Sequence, residues 1–137
     1  MCLANAAKTT LITLGCMSLG QHTFSQSLSP QVPLDGQSVY TAYCAACHGP
    51  DGKGHGPAAE TLKRKPNDLT TLAKANNGIF PRMEIENVIT TGGKWKAHGS
   101  KEMPTWGPVF RAVDGNDNIA CAHIHNLVSY LELIQVK

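Results

Sequence analysis

The sequence predicts an all-α protein with long loops. Three observations carry this. Ile124, Leu127, Val128, Leu131 and Ile134 recur at the 3.6-residue period of a helix. No segment reaches four clean alternations of apolar and polar residues, so no strand is indicated. The 13 glycines and 8 prolines gather between the apolar segments, where they mark turns. The 137 residues suit one domain.

Composition narrows the class further. Charged residues make up 16%, against roughly 25% in an average globular chain. The net charge of +2 is too small to suggest a nucleic-acid partner. No run of about 18 apolar residues occurs, so no spanning helix is expected. Aromatic residues are only 6%, and the material for a core looks thin.

Residues 1–25 read as an export signal. Lys8 is the only charge before Asp35, and an apolar stretch from Thr9 to Leu19 follows it. Thr23 and Ser25 suit a cleavage site before Gln26. An alternative uses Leu14-Gly15-Cys16, which is similar to a lipoprotein box and would anchor the chain to a membrane through Cys16. Cleavage removes Cys2 and Cys16 and leaves Cys44, Cys47 and Cys121. The destination is an oxidising compartment, the periplasm, where free thiols need another fate.

Residues 26–34 should be extended and flexible, and the domain should span 35–137. A first helix is expected from Asp35, as N-cap, to Ala46. Gly49 to Pro57 has four glycines and two prolines in nine residues and is loop. A short helix is expected over Ala58–Lys63. Asp68 can cap another over Leu69–Ala75. Pro81 suits the start of a helix to Thr90, closed by Gly92-Gly93. Residues 94–118 show no sustained period and read as a long loop, of the kind that usually carries function. Asn118 can cap the last helix.

Residues 44–48 are Cys-Ala-Ala-Cys-His, the attachment signature of a c-type haem. Two thiols three positions apart can each add to one vinyl group of a porphyrin. The adjacent histidine then stands as proximal iron ligand. Thioether bonds keep both thiols out of disulfides. A structural zinc site would need a second ligand pair, and Cys121 with His123 or His125 matches no usual spacing. A thioredoxin-like redox pair belongs after a strand, and none precedes Cys44.

With this motif the chain resembles the class I cytochromes c, and more narrowly the small bacterial monohaem forms and the cytochrome-like subunits of periplasmic redox complexes. The resemblance covers about residues 35–133. It implies three to five helices with long loops wrapped around one covalent haem c. Gly36 and Tyr40 match the glycine and aromatic of the family's first helix, and Leu127 and Tyr130 match the pair on the last helix that it crosses. The resemblance gives Pro57 the carbonyl that accepts the His48 ring N–H. It gives Met103, in a Met-Pro loop start, the distal iron ligand. Met83 and His98 are the alternatives.

A His/Met haem has no open coordination position, which implies one-electron transfer and no enzymatic chemistry. The thioether raises the potential. The haem would also complete the thin core. Its expected wall is Leu62, Leu69, Leu72, Ile79, Phe80, Ile85, Val88, Ile89, Trp95, Trp106, Val109 and Phe110, with Trp106 or Trp95 donating to a propionate. Lys63, Arg64, Lys65, Lys94, Lys96 and Lys101 form basic clusters suited to docking a redox partner. The expected protein is a monomeric carrier between a donor and an acceptor protein. The alternative is a haem subunit of a larger periplasmic dehydrogenase or oxidase. On an α-helix, residues 121, 123 and 125 do not share a face, so Cys121 reads as a small packed residue.

Overall fold

A computed structural model of the chain describes residues 35–93 and 103–136. The expected signal, its cleavage site, Cys16, Trp95, Lys94, Lys96, His98 and Lys101 lie outside the described residues. The described elements are α1 (Gly36–Tyr43), α2 (Ala45–His48), α3 (Leu72–Ala75), α4 (Arg82–Thr91), α5 (Trp106–Asp114) and α6 (Asp117–Leu133). Two 3₁₀ turns, Ala59–Thr61 and Leu69–Thr71, join them. Among the described residues there is no strand.

Helix α1 begins where the sequence puts it. The Asp35 carboxylate accepts the Ser38 N–H at 2.8 Å, and that bond holds its carboxyl below the ordinary value of 3.8. The single helix expected to Ala46 is instead interrupted at Cys44, where φ widens to −116°. Cys44 closes α1 through its N–H on Tyr40 O and opens α2 by accepting the His48 N–H. The attachment motif therefore stands on its own short turn.

Helices α1 and α6 cross at the centre of the fold. A Cβ on Gly36 would fall onto the Asn126 carbonyl and stand 2.8 Å from Tyr130 Cβ, so only glycine permits this approach. Tyr40 packs its ring 5.3 Å from that of Tyr130. Val39, Tyr40, Leu127 and Val128 are buried around the crossing. The residues that carried the family resemblance are thus the ones that meet.

The C-terminus ties down a distant segment. Gln135 donates to Leu69 O and Leu131 O, both at 2.7 Å, and accepts the Ala73 N–H at 2.9 Å. The Val136 N–H adds a bond to Thr70 O. At the start of α4, Arg82 pairs with Glu132 of α6 and also reaches Ser129. Gly92, in the left-handed region, closes α4 as expected.

Three expectations need correction. Residues 106–114 are a helix, not part of a continuous loop. Trp106, Val109, Phe110 and Val113 follow a helical period that Gly107-Pro108 disguises. Pro108 stands in the first turn of α5, where an N–H has no intrahelical acceptor, so it breaks nothing. The cap of α6 is Asn116, which accepts from Asn118 N and Ile119 N, rather than Asn118. Gly115, at φ 61°, ends α5 one residue earlier and frees Asn116 for that role. The helix expected over Ala58–Lys63 is only the 3₁₀ turn Ala59–Thr61, because Leu62 already turns extended.

Candidate haem cleft

A cleft runs between the helices. Its walls join residues remote in sequence: Tyr43, Cys44, Cys47 and His48 from the α1–α2 junction, Leu69 and Leu72, Ile85, Val88 and Ile89 from α4, and Leu127 and Leu131 from α6. Met103, Pro104 and Trp106 complete it from the start of α5.

The orientation of His48 is the most informative feature. Only 8% of the residue is exposed, and its Nδ1 lies 3.1 Å from Asn67 O. A carbonyl can only accept, so this bond requires the proton on Nδ1, and in the neutral ring the lone pair that a metal would take is then on Nε2. The resemblance gave this carbonyl to Pro57. The structure sets Asn67 there, after the Pro66 turn. The Gly56 and Ala58 N–H groups bond to Cys47 O and Ala46 O, strapping the glycine loop along α2.

Several contacts carry Asn67 to this place. Gly54, at φ 80°, packs so closely on Pro66 O that a side chain would clash. The Leu69 N–H bonds Gly52 O at 2.7 Å. Asp68 accepts from Thr70 Oγ1 at 2.6 Å and from Thr70 N at 2.8 Å. The hydroxyl bond, with the backbone N–H and the positive charge of Lys53, holds the Asp68 carboxyl below its ordinary 3.8. Asn67 was not legible as a site residue. Its side-chain type says nothing, because its main-chain carbonyl does the work.

Burial, with the Cys47 thiol beside it, pushes the Cys44 thiol up to about 12. In the folded cleft it therefore stays protonated at neutral pH. Tyr40 donates to Gly49 O at 2.6 Å, fixing the residue after His48, and burial raises its hydroxyl well above the ordinary range.

The cleft wall overlaps the expected one with exceptions. Leu62, Leu69, Leu72, Ile85, Val88, Ile89 and Trp106 line it. Ile79 is 69% exposed and contributes nothing to it. Phe110 is fully buried one layer behind, its ring 5.9 Å from Trp106 and 5.2 Å from Tyr43. Phe80 packs against the core, and Val109 is half-buried outside the lining. Leu127 and Leu131 were expected to pack the last helix but were missed as cleft residues. Arg64 and Lys65 also face the cleft. Met83, at 85% exposed, is neither core nor wall. His55 is exposed, with Lys65 Nζ 2.7 Å from its Nε2. Cys121 is half-buried on α6. Among the described residues no three His, Cys, Asp or Glu side chains gather as a metal site, so the zinc alternative has no support there.

These residues fit a porphyrin. Two thiols and an imidazole of fixed tautomer stand on one short turn, a thioether lines the same cleft, the walls are apolar, and two cations face it. The site and the helical fold define a haem-binding protein of the c type. The family model of cytochrome c matches residues 34–134, and the chain belongs to that family. No curated protein and no solved structure matches it. As a cytochrome c it binds covalent haem c, and its activity is haem-based electron transfer.

The Asp68 contacts predict a pH dependence. A lowered folded value stabilises the fold fully above the unfolded value and loses that contribution as pH falls through the folded one. Asp68→Ala should cost about 1 kcal/mol at neutral pH. The difference should shrink in strong acid, where the protonated carboxyl is a weaker acceptor. Urea unfolding of both proteins across pH checks this, and a deficit that persists unchanged in acid would contradict it.

Proposed function

We propose that the protein shuttles single electrons between two redox proteins in the periplasm. Cys44 and Cys47 hold the haem through thioethers, His48 Nε2 is the proximal ligand and Met103 the distal one. Bound haem iron supplies a one-electron couple between Fe(III) and Fe(II). The observation that carries the reading is the His48–Asn67 bond, which fixes the ring of a histidine that lines the same cleft as Met103. The Met103 thioether, soft and neutral, favours the reduced iron, and Pro104 stiffens the segment that presents it. Trp106, in the cleft wall, is the donor to a propionate in this reading.

Residues 1–25 act as the export signal in this reading, 26–34 as a linker and 35–137 as the haem domain. Among the described residues no helix is long and apolar enough to cross a membrane. Export fits the fate given to the thiols.

Lys63, Arg64 and Lys65 are exposed beside the cleft and suit an acidic partner surface. Electron exchange with an acidic redox protein should slow by about tenfold between low and high salt. Stopped-flow rates that do not change with ionic strength would remove this docking mode.

A pyridine haemochrome should return one haem per chain. Met103→Ala should abolish the long-wavelength methionine-to-iron charge-transfer band of the oxidised protein and lower its potential, whereas His98→Ala should leave both unchanged. A Met103→Ala protein that keeps the band would overturn the ligand assignment.

A further inference from the structure

The Cys-x-His-x-His run on α6 contributes His123 to a buried pair with Asp114 of α5 that electron transfer does not account for. His123 is fully buried, and its Nδ1 lies 2.8 Å from Oδ2 of Asp114. The two side chains are 1% and 6% exposed. Asp114 is the last residue of α5, so its carboxylate faces the negative end of that helix's dipole. Burial adds a desolvation cost. Apolar residues of similar volume often replace such pairs with no loss of stability. A pair in this unfavourable place is better explained by direction than by packing strength.

The direction it imposes reaches the cleft. Trp106, Phe110 and Asp114 are spaced by four and form one stripe of α5. The Phe110 ring lies 5.4 Å from His123 and 5.9 Å from Trp106. Trp106 lines the cleft, and Met103 and Pro104 immediately precede α5 in its wall. Phe110 is smooth and apolar and allows α5 to slide or roll on α6. A hydrogen bond does not, because it weakens steeply with misalignment.

We propose that the Asp114–His123 bond is a catch that fixes α5 on α6 and thereby positions Trp106 and the Met103 segment at the haem cleft. Both are positioning residues. The consequence for Met103 rests on its assignment as distal ligand; the hold on α5 does not.

The test compares two holoprotein variants. Asp114→Asn keeps an oxygen that accepts from His123 Nδ1. The double variant Asp114→Leu with His123→Leu keeps the packing and removes the bond. Two readouts are made: backbone amide exchange helix by helix, and imidazole binding to the oxidised haem, which competes for the distal position. Asp114→Asn should resemble wild type in both. The double variant should unfold at an unchanged urea concentration, yet exchange its α5 amides about tenfold faster, with α1 and α4 unaffected. It should also bind imidazole about tenfold more tightly. A double variant that matches wild type in α5 exchange, or that loosens all helices equally, would overturn the catch. If it loses its fold, Asp114→Ala takes its place: α5 exchange like wild type overturns the catch, and faster α5 exchange with α1 and α4 unchanged, restored to wild type in Asp114→Asn, supports it. Met103→Ala is run alongside. If it does not tighten imidazole binding, the ligand assignment fails, while α5 exchange still decides the catch.

Discussion

A histidine can serve a metal from only one ring nitrogen at a time, and the other must be occupied. The bond from His48 Nδ1 to Asn67 O meets this need, and much of the surrounding chain exists to keep it in place. The Asp68–Thr70 contacts fix the turn that carries Asn67, and Gly52 and Gly54 let the glycine loop press against it. Gln135, from the far end of the chain, pins the next residues onto α6. Tyr40 holds the other side by its bond to Gly49 O. Contacts separated by more than sixty residues in sequence thus converge on one imidazole.

Around that ring the chain is arranged as a shell. The α1–α6 crossing supplies a small core of Val39, Tyr40, Leu127 and Val128. The aromatic cluster of Tyr43, Trp106 and Phe110 supplies a second, with rings 5.2 to 5.9 Å apart. Neither fills the space between α2, α4 and α6. Leu72 and Ile85 face a cleft there only half-buried, and what occupies it completes their burial, whereas Leu69 and Val88 in the same wall are buried already. This is the physical meaning of a sequence poor in aromatic residues and rich in loop formers.

The elements with local signals were legible. Asp35 and Asp68 cap because a carboxylate reaches an N–H within its own turn, and the pattern of α6 declares its buried face. The five-residue motif announced its chemistry because thioether attachment demands that spacing. Other features were hidden for reasons that are equally physical. Helix α5 was masked by Gly107-Pro108, residues that break helices everywhere except near their starts. The partner of His48 was invisible because a main-chain carbonyl leaves no mark in residue type, and the family pattern pointed to Pro57 instead. The exposure of Ile79 could not be foreseen, since its burial depends on where a distant wall ends. The pairing of His123 with Asp114 depends on how Gly115 turns α5 back on α6, which spacing alone does not encode.

In this arrangement the haem is a part of the core, so the fold should depend on it. Urea and thermal unfolding of the holoprotein should be compared with those of a Cys44→Ala, Cys47→Ala chain made without haem. The holoprotein should melt in one cooperative transition. The haem-free chain should show weak helical signal, rapid amide exchange throughout and no cooperative transition. A haem-free chain that is compact and melts cooperatively near the holoprotein would show that the shell stands without its cofactor, contrary to this account.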